Sequence, residues 1–225
     1  MTTKTITKFC LLAALGLAST VFNACGGDDP KPEDNNPKPE ITNTPTTDVG
    51  VVINGVTWAT RNVDAFGTFA EKTESAGMFY QWNRKKAWNT TDTEVNGWDE
   101  TYSQGTTWEK ANDPSPKGWR IPTRVEIDKL CNETKVTNEW TTQNGVNGRK
   151  FTDKATGKSL FLPAVGGRYF KTGMLNTNGL GSYWSSTPLM SEESDAFYLF
   201  FVENAAGVVF FPRSYGFSVR PVLAE

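Results

Sequence analysis

Apolar and polar positions divide the chain into three unlike stretches. Lys4 and Lys8 precede residues 9–22, an uncharged and mostly apolar run broken only by Ser19 and Thr20. A spanning helix needs roughly 20 apolar residues, so this run is too short to cross a bilayer. It fits the apolar core of a secretory signal. Residues 26–48 hold Pro30, Pro32, Pro37, Pro39 and Pro45 among Asp, Glu, Asn, Lys and Thr, with almost nothing to bury, and are expected to stay disordered. From Val49 the pattern changes. Residues 51–58 predict a hairpin around a type I′ Asn54-Gly55 turn. Residues 61–118 carry few periodic signals and predict loops, with short helical turns near 76–81 and 107–111. Thr123 and Glu126 form a capping box ahead of Val125, Ile127 and Leu130, which predicts a helix ending near Asn132. Residues 140–151 read as turn-rich. Strands are expected at 159–162, 182–187, 196–202 and 207–211, the last two joined as a hairpin by 203–206. A final strand at 217–220 ends at Pro221. The expected fold class is α+β, with a mainly antiparallel sheet.

The leader is followed by Asn23-Ala24-Cys25-Gly26-Gly27. A small residue before a cysteine at this point resembles the lipobox of bacterial lipoproteins, in which the cysteine is acylated and becomes the new N-terminus. Phe22 departs from the aliphatic residue usual there, and a plain secretory signal is the alternative reading. Two or three acyl chains, at about 0.8 kcal/mol per buried CH₂, make a firm anchor. Gly26-Gly27-Asp28-Asp29 resembles the surface-export signal of Bacteroides-type lipoproteins. The expected organisation is a signal peptide at 1–24, a lipidated Cys25 with its tether at 25–48, and one domain at 49–225. The expected location is the outer membrane, lipid-anchored and exposed at the cell surface. Pro-rich chain extends about 3.1 Å per residue, enough to lift a domain clear of the headgroups.

Charge and composition narrow the chemistry. Lys4 and Lys8 leave with the leader, so 21 basic side chains face 25 acidic ones, a net charge of −4. That argues against a nucleic-acid partner, which requires a basic surface. The chain has no histidine, which removes Ser-His-Asp and Cys-His triads and histidine-based zinc sites. Of three cysteines, Cys10 lies in the leader and Cys25 at the anchor, so Cys131 has no partner for a disulfide within the domain. Cys131 reads as a small buried residue on the predicted helix. Asp92, Glu94, Asn96 and Gly97 follow the spacing of a calcium loop, yet Ser103 stands where its bidentate Glu belongs. Residues 82–88 mix tryptophan with Arg84, Lys85 and Lys86, and read as packed rings with solvated cations. Glu192, Glu193 and Asp195 read as a solvated turn; a carboxylate pair suited to glycoside hydrolysis is not identifiable from sequence.

The segments 55–63 (Gly-Val-Thr-Trp-Ala-Thr-Arg-Asn-Val), 78–83 (Met-Phe-Tyr-Gln-Trp-Asn), 118–123 (Gly-Trp-Arg-Ile-Pro-Thr), 183–187 (Tyr-Trp-Ser-Ser-Thr) and 215–220 (Tyr-Gly-Phe-Ser-Val-Arg) occur in order along the domain. Together they resemble the Fibrobacter succinogenes major paralogous domain, from about Val51 to the C-terminus. The stretches at 118–123 and 216–220 also resemble formylglycine-generating and C-type lectin-like folds. The resemblance implies a C-type lectin-like architecture: a twisted antiparallel sheet, one or two flanking helices and long loops. The family usually carries cysteines where this chain has Ser115 and Pro221. A bridge closing so long a loop would contribute about 4–5 kcal/mol in the chain-entropy model. Here packing has to hold that join, with Trp119 as the candidate plug. The active-site cysteines of formylglycine-generating enzymes are missing, and so are the Glu-Pro-Asn and Trp-Asn-Asp motifs of calcium-dependent lectins.

In C-type lectin-like folds the last strands and loops build the ligand face. The resemblance therefore singles out Arg168, Tyr169, Tyr183, Asn204, Arg213 and Tyr215, which combine aromatic area with hydrogen-bonding groups. Core packing is the competing reading for Tyr183 and Tyr215. The function expected is a non-catalytic surface module that binds an extracellular glycan or protein, with no cofactor and no metal. The alternatives are a carboxylate-dependent enzyme acting on polysaccharide and a structural component of a surface assembly.

Overall fold

A computed structural model describes residues 47–169 and 171–225. The expected signal peptide, Cys25 and nearly all of the tether lie outside the described residues. Asp48, assigned by composition to the tether, belongs to the folded unit. Its carboxylate accepts from Gly50 N at 2.8 Å and Thr60 N at 3.1 Å, and pairs with Arg61 at 3.2 Å.

The Asn-Gly hairpin forms as expected. β1 (Val51–Ile53) pairs antiparallel with β2 (Val56–Trp58). Asn54 and Gly55 hold φ of +46° and +77°, the left-handed pair that a type I′ turn requires. The run 76–81, expected as a helical turn, is instead β3 (Phe79–Gln81), buried at all three positions and paired with β4 (Ala87–Trp88). A short continuous apolar run suits a strand buried on both faces as well as a helix, and here the sheet wins. A 3₁₀ turn at Lys110–Asn112 and β5 (Trp119–Arg120) follow.

α1 (Arg124–Leu130) starts where the capping box puts it. Thr123 Oγ1 accepts from Glu126 N at 3.3 Å, and Glu126 Oε2 accepts from Thr123 N at 2.7 Å. Arg120 grips the same carboxylate with both terminal nitrogens, at 2.8 and 2.7 Å. Burial pushes the Glu126 carboxyl upward, but the bonds from Arg120 and Thr123 outweigh it and hold the group below its ordinary value of 4.5. A carboxyl whose pKa falls on folding stabilises the native state above the unfolded value and loses that contribution as pH drops through the folded one. Glu126→Gln is therefore expected to cost about 1 kcal/mol at neutral pH. Below pH 4.5 the gap to wild type should close, as read by urea titration across that range. A constant gap at every pH would contradict this.

Beyond the helix, β6 (Val136–Gln143) and β7 (Val146–Asp153) form a long hairpin that the turn-rich composition concealed, and β8 (Ser159–Pro163) completes its sheet. β9 (Gly167–Tyr169) and β10 (Met174–Asn176) pair next. β11 (Gly181–Pro188), β12 (Asp195–Val202) and β13 (Ala205–Pro212) form a meander. The chain ends in β14 (Gly216–Phe217) and β15 (Val222–Leu223). Of the expected final strand at 217–220 only Phe217 belongs to a named strand, and β15 lies beyond Pro221 in a different sheet.

The four sheets run β1-β2-β15-β5, β10-β9-β14-β3-β4, β11-β12-β13 and β6-β7-β8, and every ladder between named strands is antiparallel. This corrects the α+β, C-type lectin-like expectation. The described residues hold one α-helix, of seven residues, against fifteen strands, so the domain is β-rich. The sheet is not one twisted layer flanked by helices but four small ones, because the segments read as loop or turn at 76–81 and 140–151 are strand. No described helix is long and apolar enough to cross a membrane.

The meander is a partition between two cores. Leu199, Phe201 and Tyr183 face one side, with Ile127 and Leu130 of α1, Trp58, Phe151 and Leu162. Trp184, Ala196 and Tyr198 face the other, with Tyr80, Trp82, Phe217 and Val219. Burial of both faces explains why residues 196–202 are an almost unbroken apolar run rather than an alternating one. Both cores are built from residues 53–222, so the unit Thr42–Glu225 contains its own interior.

The join expected to lack a bridge is closed by backbone pairing. β15 adds to β5 with Val222 opposite Arg120 and Leu223 opposite Trp119, and Ala224 N donates to Gly118 O at 2.9 Å. Trp119 stands beside this join, edge-on to Phe69 at 5.7 Å.

Candidate functional site

A hollow of about 670 Å³ opens among the described residues where the loop before β5, the start of α1, Ser186 of β11 and the chain end converge. Its position follows from three local arrangements. Asn83, at φ +56°, turns its side chain to accept from Glu109 N at 2.9 Å and Asn112 Nδ2 at 3.1 Å, which fixes the 3₁₀ turn carrying Lys110. Asp113 accepts from Ser115 N at 2.9 Å and Ile121 N at 3.1 Å, closing the loop on itself. Ser186 N donates to Pro122 O at 2.7 Å, tying the meander to the entry of α1.

Trp108 and Trp119 give the hollow aromatic surface, Ile121 an apolar patch, and Lys110 and Lys117 exposed cations. Trp108 is 9 % exposed and meets Trp82 at 5.4 Å. Its Nε1 and the Ser115 Oγ are buried without a hydrogen-bond partner. Trp58, Trp88 and Trp98 share that condition, but of these indoles only Trp108 lines the hollow. A buried N–H without an acceptor costs about 1–3 kcal/mol. Arg120 is held by Glu126 and Asp113 by backbone N–H groups, so the lysines are the cations left for a ligand.

The residues singled out from sequence sit elsewhere and do not form one site. Arg168 is fully buried on β9 and donates to Asn89 O, Asn89 Oδ1, Asp92 O and Gly173 O at 2.7–2.9 Å. Arg213 is buried after β13, donating to the carbonyls of Asp195, Ser103 and Gly105 and lying 4.3 Å from the Trp82 ring centre. Tyr183 is core. It stacks on Phe201 and donates to Pro163 O at 2.7 Å, and burial pushes its phenol up to about 12. Arg168 and Tyr183 are thus engaged within the scaffold, and Arg213, bonded to three loop carbonyls, also lines a smaller hollow. Asn204 is exposed in the β12–β13 turn. Tyr169 and Tyr215 do come together, half-buried, with ring centres 5.4 Å apart and Phe211 at 6.4 and 4.8 Å. A smaller hollow of about 200 Å³ near Met190 and Arg213 is what the expected region offers.

Sequence reasoning missed Trp108, Lys110 and Lys117. A signal existed, because the most motif-like segment of the domain, 118–123, forms the opposite side of the same hollow.

Reactive groups are restrained. Burial pushes the Cys131 thiol up to about 12, so it stays protonated at neutral pH. Among the described residues no group of three acidic or cysteine side chains is placed to hold a metal ion. Asp92, from the calcium-like spacing, bonds Asn89 at 2.8 Å. In the Trp82–Trp88 segment the rings pack and Lys86 lies over Trp88 at 3.8 Å.

The fold and site together define a β-rich domain with two cores and an aromatic-walled hollow. Comparison with family models, curated proteins and solved structures finds no significant match.

Proposed function

We propose that this chain is a surface-tethered recognition module, anchored to the outer membrane through acylated Cys25, and that its domain binds an extracellular glycan without catalysis. The observation that carries the reading is the hollow between Trp108 and Trp119. Its volume of about 670 Å³ lies within the range of small-ligand sites and accommodates one or two sugar rings. Indole surface packs against the C–H faces of a pyranose, while the exposed Lys110 and Lys117 supply polar contacts that orient hydroxyl groups. A protein partner needs a broader surface than one concave opening. The leader, the lipobox-like cysteine and the resemblance to the Fibrobacter major paralogous domain support display outside the cell.

The test is a glycan array followed by calorimetry on residues 42–225. An oligosaccharide that binds wild type is expected to bind Lys110→Ala and Lys117→Ala at least about tenfold more weakly, the loss of one charged hydrogen bond. Melting temperatures should remain close to wild type. Silence on the array, or binding unaffected by both substitutions, would remove this reading. Turnover of a bound oligosaccharide would replace it with an enzymatic one.

A further inference from the structure

The meander ends in an unprotected edge. β13 follows β12 in a continuous register, from Asp195 opposite Pro212 to Val202 opposite Ala205, and no strand pairs with its other side among the described residues. Edge strands in soluble proteins are shielded by charges, bulges, shortness or a covering segment. β13 has eight residues, no bulge and no charged side chain, and Val209, Phe210 and Phe211 are 39 %, 51 % and 36 % exposed. None of its residues lines the hollow, so this edge stands apart from the proposed glycan site.

The sequence of this strand, Ala-Ala-Gly-Val-Val-Phe-Phe-Pro, is small in its first half and large in its second. We infer that β13 pairs antiparallel with β13 of a second copy, about a two-fold axis at Val208, joining two meanders into one six-stranded sheet. A two-fold perpendicular to the sheet keeps each face on its own side, so paired residues must share a face and their numbers must differ by an even step. Centring on Val208 satisfies this. Phe210 then meets Ala206, Phe211 meets Ala205, and Val209 meets Gly207. A Cβ at Gly207 would have nothing within 4 Å, so the space beside it is open to the partner's valine. The absence of charge along the strand leaves no like-charge pair across the axis. The second copy is thus the occupant that the strand itself specifies: its large half fits its own small half.

A single strand pair buries less than the roughly 1,200 Å² typical of stable complexes, so the dimer should be weak, with a Kd on the order of 10–100 µM. A dense lipid-anchored array on a surface would favour it. Sedimentation velocity on residues 42–225 over that range should show monomer giving way to dimer. Val209→Lys and Val209→Glu, at an exposed position, should each remain monomeric while melting near wild type. Mixing the two should restore a dimer, because opposite charges then lie diagonally across the axis. A chain that stays monomeric throughout, a dimer indifferent to either substitution, or a mixture that fails to associate overturns the proposal.

Discussion

Trp184→Ala should lower the melting temperature by about 10 °C or more. Trp184 lies on β11, fully buried on the second face of the partition. Its ring centre is 4.4 Å from that of Phe217 and 5.9 Å from that of Tyr198, and its Nε1 donates to Tyr80 O at 2.7 Å. Tyr80 belongs to β3, in another sheet, so one side chain fastens the meander to the five-stranded sheet by both packing and a hydrogen bond. Removing a buried tryptophan costs about 3–5 kcal/mol through lost transfer energy and the cavity left behind. In a domain of this size each kcal/mol moves the midpoint by about 2–4 °C. Trp184→Phe separates the two parts: it keeps most of the packing and removes the donor to the Tyr80 carbonyl, for a loss of about 1–3 kcal/mol. Calorimetric melting of both variants checks this. An alanine variant melting within a few degrees of wild type would mean that the second core does not depend on this contact.

The partition that makes Trp184 so sensitive was partly legible. Residues 196–202 are apolar at nearly every position, which marks a strand covered on both faces, and the expected hairpin with 207–211 formed. The capping box located the start of α1 to within a residue, because Thr123 and Glu126 satisfy each other locally, whereas the helix ends at Leu130, two residues before the expected Asn132. The Asn-Gly pairs show where local reading stops. Asn54-Gly55 and Asn144-Gly145 both make left-handed turns, with Asn144 at φ +48° and Gly145 at +82°. Asn147-Gly148 lies inside β7, where a Cβ on Gly148 would meet Leu162 O at 2.3 Å and the Phe161 ring at 2.6 Å. The same dipeptide serves as a turn in one place and as clearance for a neighbouring strand in another. Two such pairs close together made 140–151 look like loop, although its threonines favour a strand.

The candidate site was less legible, for a related reason. The hollow is assembled from residues 108–123, Ser186 and the chain end, which no periodicity connects. The side chains favoured from sequence were chosen for their chemistry, and Arg168, Arg213 and Tyr183 use that chemistry internally. Arg168, Arg213 and Arg220 are all buried, and each donates to backbone carbonyls or an amide oxygen of long loops rather than to a carboxylate. Such acceptors leave no trace in composition. They also explain how a chain with an extended coil between β4 and β5 holds its shape: guanidinium forks gather the carbonyls that a helix or sheet would otherwise satisfy.

Arg168 offers the sharpest test of that role. A ligand-binding arginine and a loop-holding arginine make opposite predictions under the same substitution. If Arg168 contacted a ligand, Arg168→Ala would abolish binding and leave the fold unchanged. Buried as it is, with four acceptors from Asn89, Asp92 and Gly173, its loss should cost at least about 3 kcal/mol, since hydrogen bonds to a charged donor contribute about 1.5–3 kcal/mol each and the carbonyls left behind stay desolvated. Burial pulls the guanidinium pKa downward and the nearby Asp92 offsets this only in part, so the charge depends on these carbonyls for its stabilisation. Arg168→Lys should recover little, because an ammonium does not reproduce the planar fork that reaches both loops. Hydrogen exchange will locate the damage. The amides of residues 89–98 and 171–175 are expected to lose protection first, and the β6–β7 hairpin, which packs in the other core, should keep it until global unfolding. Unchanged protection at 89–98 in Arg168→Ala would sink the scaffold role and make this arginine a candidate ligand contact again.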